Sequence, residues 1–175
     1  MNKDKGDGVL AVLCIFLMIA CYFDYRKGRI PNLLSVCILL YGLGHAMVES
    51  GYFGILMYVG LGVPVTLIFY PLFKIGCLGA GDVKLFGVCA GFFPPGKILL
   101  FLFFSLLISA VISLFQMLQN NNLKERFSYL GEYLLEVLKS GHFKLYVENL
   151  SKQTSGICLS GSVLCSVLLY WGGVY

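Results

Sequence analysis

Gly8-Val-Leu-Ala-Val-Leu-Cys-Ile-Phe-Leu-Met-Ile-Ala-Cys-Tyr-Phe-Asp24 is an apolar run that ends on an aspartate, and Tyr25-Arg-Lys-Gly-Arg29 follows at once. A run of this length and composition reads as a membrane-crossing helix, slightly short of the ~20 residues that an untilted crossing needs. Basic residues directly behind such a run resist translocation and hold that end on the inner side. An acid against a lipid-spanning segment costs a few kcal/mol at the bilayer centre and less near its edge. Asp24 is therefore a candidate functional residue before anything else is read.

Working outward, the same pattern recurs. Apolar runs at 33–48, 53–72, 83–94, 97–118 and 156–174 join 8–24 to give six candidate spans. The chain is 58% hydrophobic and 13% charged, with a mean hydropathy of +0.84, which excludes a soluble globular domain. The fold class expected is all-α: a polytopic integral membrane protein of about six transmembrane helices, forming one membrane-embedded domain over 1–175. Gly51, Pro31-Asn32 and Pro94-Pro-Gly96 punctuate the runs as turns, the double proline making a tight hairpin of spans four and five.

Charge placement sets the orientation. With the N-terminus outside, Arg26, Lys27, Arg29, Lys74, Lys84, Lys124, Arg126, Lys139, Lys144 and Lys152 lie inside, against Lys3, Lys5 and Lys97 outside. That is the positive-inside distribution, and it puts both termini outside. Lys3 and Lys5 before Val9–Ala20 resemble a signal peptide, and Met18-Ile-Ala-Cys21 a lipoprotein box, but the basic cluster behind Asp24 argues for retention of the first span. Between spans five and six, segment 119–155 repeats Leu123, Phe127, Leu130, Leu134, Val137 and Leu138 at helical steps among charges. This predicts one cytoplasmic amphipathic helix, either a surface anchor or a lid.

Parity then brings a second acid to the inner side. Gly79-Ala-Gly-Asp82 precedes span four, and three crossings separate it from the start of span one. Gly76, Gly79 and Gly81 leave room for a second backbone beside Asp82. The bland readings are an Asp82 that caps a helix and an Asp24 that pairs with Arg26 or Lys27. The sharper one is a dyad: neighbouring carboxylates cannot both ionise cheaply, so they share one proton, as in an aspartic protease. The seven cysteines form no C-x-x-C pair and no histidine cluster lies near them, so neither a metal nor a cofactor is expected. Gly87 and Gly91, and Ser105, Ser109 and Ser113, read as small packing faces rather than as sites.

Asp24-Tyr-Arg-Lys-Gly-Arg-Ile-Pro-Asn32 and Gly79-Ala-Gly-Asp82-Val-Lys-Leu85 together resemble the type IV prepilin peptidase family. There a first Asp precedes Ile-Pro-Asn and a second closes Gly-x-Gly-Asp, commonly followed by x-Lys. The resemblance spans essentially the whole chain. The larger, N-methylating members carry an insert with paired C-x-x-C motifs; this chain has neither. It is similar to the short, cleavage-only peptidases of tight-adherence (Flp-type) pili and of archaeal preflagellins.

The resemblance implies an aspartic endopeptidase of the plasma membrane with Asp24 and Asp82 as catalytic residues on the cytoplasmic side. Its partners would be a prepilin- or pseudopilin-type substrate and the lipid bilayer, with no nucleic acid and homo-oligomerisation left open. Gly79, Gly81, Lys84, Arg29 and Asn32 are the candidates for substrate contact or support of the dyad, Lys84 being equally suited to interfacial snorkelling. Which aspartate holds the shared proton is left open, because titration belongs to the pair. Two other readings compete: a presenilin-like Gly-x-Gly-Asp intramembrane protease, and a non-enzymatic proton-coupled carrier or assembly subunit. The first would place Tyr before the first Asp, where Phe23 stands; the second would place its acids near mid-membrane in repeated halves.

Overall fold

Where the first apolar run meets its basic tail, the chain stops being helical. Gly28 adopts φ 59° and its N–H donates to the Asp24 carbonyl at 2.8 Å, a left-handed glycine closing the last turn of α1 (Lys3–Lys27). The computed structural model describes residues 3–28, 30–75, 78–119 and 159–175. Among these every element is helical: α1, α2 (Asn32–Ile75), α3 (Ala80–Ala90), α4 (Pro95–Gln119) and α5 (Leu159–Trp171). Three helical stretches, Gly6–Lys27, Asn32–Ile75 and Pro95–Gln116, are long and apolar enough to cross a membrane. The amphipathic segment expected after residue 119 lies outside the described residues.

α2 is too long for one crossing, since 44 residues would extend roughly 66 Å at 1.5 Å per residue. It breaks instead at Ser50 (φ −136°, ψ 15°) and Gly51 (φ 59°, ψ −142°), the latter a backbone state open to glycine. The two arms then fold back on each other: Gly42 lies under the Tyr58 ring, and Gly54 against the Ala46 carbonyl. A continuous helix would hold residues 42 and 58 about 24 Å apart. The turn read at Gly51 is thus a helix reversal.

α3 packs antiparallel on the second arm of α2. Gly87 meets Thr66 and the Gly62 carbonyl, Gly91 meets the Tyr58 ring, and the Tyr58 hydroxyl donates to the Val88 carbonyl at 2.8 Å. The small-residue face read at Gly87 and Gly91 is what permits that approach. Pro95, at the first position of α4, begins the return, and the Phe93 and Phe101 rings stack across the turn at 4.4 Å. Phe69, Phe86 and Phe101 continue the aromatic core between α2, α3 and α4.

α5 closes the bundle against α1 and α4. It runs antiparallel to α1: Trp171 Nε1 donates to Asp7 Oδ1 at 3.1 Å at one end, and Ser160 lies beside Asp24 at the other. Its serines are buried; Ser162 donates to the Leu159 carbonyl and Ser166 to the Phe101 carbonyl, so their polarity is absorbed by helix backbone. Ser105 likewise donates to Phe101, in keeping with the packing role read for that face.

Candidate active site

Four helix ends meet at one pole of the bundle. Asp24 stands in the last turn of α1, Asn32 opens α2, Asp82 stands in the first turn of α3, and Ser160 in the first turn of α5. The parity argument is therefore met by the geometry: the two aspartates, separated by the doubled-back α2, come together at the same end.

Asp82, at the third position of α3, is not the N-cap itself but reaches back to the backbone of the N-cap residue, as the acid of a capping box does. Gly79 is the N-cap of α3, and no side-chain cap bond is made there. The Asp82 carboxyl instead turns back over Gly79, so that a Cβ on that glycine would lie 2.9 Å from Asp82 Oδ2. The second glycine serves another neighbour: a Cβ on Gly81 would come within 3.2 Å of the Ile30 Cβ. Room that the sequence suggested for a substrate backbone is, at Gly81, taken by the buried Ile30 side chain. The two sequence blocks thus interlock, Ile30 of the first seated on Gly81 of the second. Lys84 Nζ adds a second clasp by donating to Asn32 Oδ1 at 3.1 Å. Lys84 is exposed but held by this bond, so it does more than snorkel. Arg29 lies outside the described residues.

Electrostatics couples the acids. Asp82, just ahead of the apolar span that starts at residue 83, is pushed up to about 6, first by burial and second by the Asp24 charge; a hydrogen bond with the Gly79 backbone opposes both. A carboxyl in that state can remain protonated beside an ionised neighbour, which is the requirement for a one-proton dyad. The bland alternative for Asp24 is not realised: Arg26 lies over the Tyr22 ring at 5.7 Å and Lys27 over Phe23 at 5.4 Å, and no ion pair to Asp24 occurs among the described residues. Asp24 Oδ2 accepts a 2.7 Å hydrogen bond from Ser160 Oγ.

A family model for the type IV leader peptidase family matches residues 11–114. The chain belongs to that family. Searches among curated proteins and among solved structures returned no match. The match takes in both aspartates and both clasped blocks, so this membrane-embedded leader peptidase is a hydrolase of peptide bonds. It stops before α5.

Sequence reading of this leader peptidase missed Ser160. It weighed the serines of the fifth span, which the structure turns inward to packing, and gave none to the sixth. A signal was available: Ser160-Gly-Ser162 begins the last apolar run, on the same side, by parity, as both acids. Gly161 reinforces the docking, since a Cβ there would lie 3.5 Å from Cys21 Sγ on α1.

Proposed function

We propose that this leader peptidase is an aspartic endopeptidase that removes basic leaders from prepilin-like, Flp-type precursors at the cytoplasmic face of the plasma membrane. The observation that carries the reading is the electrostatic coupling of Asp24 and Asp82 at one pole of the bundle. One carboxylate takes a proton from water, and the resulting hydroxide attacks the scissile carbonyl carbon. The protonated partner hydrogen-bonds the carbonyl oxygen as its charge develops. Lys84 and Asn32 clasp α2 to α3 and hold Asp82 in place, while Gly79 gives its carboxyl room.

The proposal includes six crossings within one domain over 1–175, the two arms of α2 counting as two and the short α3 and α5 as one each. The site then lies cytoplasmic and both termini outside, as the lysine and arginine distribution supports. Cleavage at that depth suits a substrate whose apolar helix stays in the membrane while its basic leader stays in the cytoplasm.

Asp24→Asn and Asp82→Asn should each abolish cleavage of a co-expressed prepilin, a loss of several orders of magnitude, with normal membrane levels. Glu49→Gln, in the pair with His45 one turn earlier on the first arm of α2, should change it less than about tenfold, roughly 1.4 kcal/mol in barrier. Because the pair acts as a unit, the double variant should be little worse than either single one. Substantial processing by well-expressed Asp82→Asn sinks the aspartic mechanism.

A further inference from the structure

Among the described residues, Ser160 is the one hydrogen-bond partner of the dyad supplied from outside the two motif blocks. It is fully buried, and its hydroxyl donates at 2.7 Å to Asp24 Oδ2, whereas Ser105, Ser162 and Ser166 donate to main-chain carbonyls. A hydroxyl that donates to a carboxylate oxygen stabilises the anion, and a charge-assisted bond of this kind is about twice as strong as a neutral one. Asp82 has a donor too, the Gly79 backbone N–H, but there burial and the Asp24 charge outweigh it and favour the acid form.

From this asymmetry we infer that Ser160 is a positioning residue that divides the roles of the dyad, holding Asp24 as the ionised base and leaving Asp82 as the proton-bearing acid. The inference rests on the aspartic reading above. Among the described residues, the remaining charged groups at this pole are engaged elsewhere. On α1, Arg26 and Lys27 lie over aromatic rings; on α2, Lys74 lies over Tyr70; on α3, Lys84 is bonded to Asn32. The other titratable side chains on these helix ends are Cys21, Tyr22 and Tyr25 of α1 and Tyr70 of α2. α5 brings no charge of its own among the described residues, only the Ser160 hydroxyl.

The cycle then balances. Asp24 removes a proton from water, the hydroxide oxygen bonds to the carbonyl carbon, and Asp82 gives its proton to the carbonyl oxygen. In the second half Asp24 delivers the water-derived proton to the amide nitrogen as the C–N bond breaks. One hydroxyl of the tetrahedral intermediate returns its proton to Asp82 as the new carboxyl forms. Throughout, Ser160 keeps its hydrogen and serves to hold the Asp24 carboxylate in place.

The test is the pH dependence of kcat/KM for the full-length enzyme in detergent with a synthetic prepilin segment, which reports the ionisations of the free pair. Wild type should give a bell. In Ser160→Ala the acid limb should move up by about half to one pH unit with the alkaline limb in place, and the maximum should fall about tenfold. Ser160→Thr, which keeps the hydroxyl, should restore the wild-type limb. A merely structural serine would lower the whole bell without displacing a limb, and that result overturns the inference. Displacement of the alkaline limb instead would mean the opposite division of roles and overturns it too. Should Ser160→Thr not accumulate, the limb position of Ser160→Ala alone decides, since Ala is smaller and fits the same site. Asp24→Asn run in parallel separates the failures: if it cleaves, the aspartic reading has failed; if it is dead and the acid limb of Ser160→Ala is unmoved, only the role of Ser160 has.

Discussion

Asp82 occupies a place that suits its acid form better than its anion. Its proton is held more tightly in the fold, at about 6, than at the ordinary 3.8 of a free side chain. The favourable contribution is therefore complete below about pH 4 and is lost as pH rises through about 6; above that the ionised group weighs against the folded state. At 1.36 kcal/mol per pH unit the ceiling is roughly 3 kcal/mol, and partial access to solvent brings it to about 1–2. Asp82→Asn should thus be more stable than wild type at pH 8, by roughly 2–6 °C in Tm, with the gain vanishing near pH 4. Thermal unfolding in detergent at both pH values checks this, and an Asn variant less stable than wild type at pH 8 would refute it. At this scale the sequence was partly legible. Charge in an apolar setting exposes itself, so Asp24 and Asp82 could be read directly. Ser160 was marked only by its place near the start of the last apolar run, because a buried serine in a membrane helix has a backbone carbonyl as its ordinary partner and the three-dimensional neighbour is what distinguishes it.

At the scale of elements, the placement of Asp82 depends on how closely α3 can approach α2. The contact is built from absent side chains: Gly62 and Gly87 face each other across it, with Thr66 beside them. In lipid, where burial of apolar surface gives helices little reason to associate, such backbone proximity and the packing it allows supply the attraction. Gly87→Val would drive branched carbons into Thr66 and the Gly62 carbonyl, pushing α3 outward and Asp82 with it. We expect a loss of about 1–3 kcal/mol in stability from overpacking and at least a hundredfold fall in cleavage. Gly44→Ala and Gly60→Ala, where a Cβ meets nothing within 4 Å, should leave activity unchanged and stability the same or up to about 1 kcal/mol higher. Equal damage from all three would show that the α2–α3 approach has no special role. The small face on span four was readable from its four-residue spacing. Its partner face was not, because a sequence gives the period of a helix but not the helix opposite.

Across the whole molecule, the two ends of the bundle differ in kind. One pole gathers Asp24, Asn32, Asp82, Lys84 and Ser160, and the other holds the Ser50–Gly51 reversal, the His45–Glu49 pair and the Asp7–Trp171 bond. With the first pole cytoplasmic, alkaline phosphatase fused after Lys97 should be active and the same fusion after Lys74 inactive. The reverse pattern would invert the enzyme in its membrane and place its site away from the basic leaders it is proposed to remove. Both acids stand at one end of the bundle, and helical class and the turn at Gly51 were legible in the apolar runs and their punctuation. The extent of individual helices was less so: α3 starts at Ala80 and ends at Ala90, where the apolar run suggested 83–94, because the Gly79 cap and the turn before Pro95 set its ends rather than hydropathy.

The pairing of α1 with α5 also has a consequence in time. α1 docks on α5, which the ribosome makes much later, across 136 residues between Asp24 and Ser160. A nascent chain halted after α4 already carries both motif blocks and the whole family match, yet its Asp24 still lacks the hydroxyl that fixes its role. Full activity then waits for the synthesis of α5, and a chain paused before it would process newly made precursors more slowly, by about the tenfold expected of Ser160→Ala.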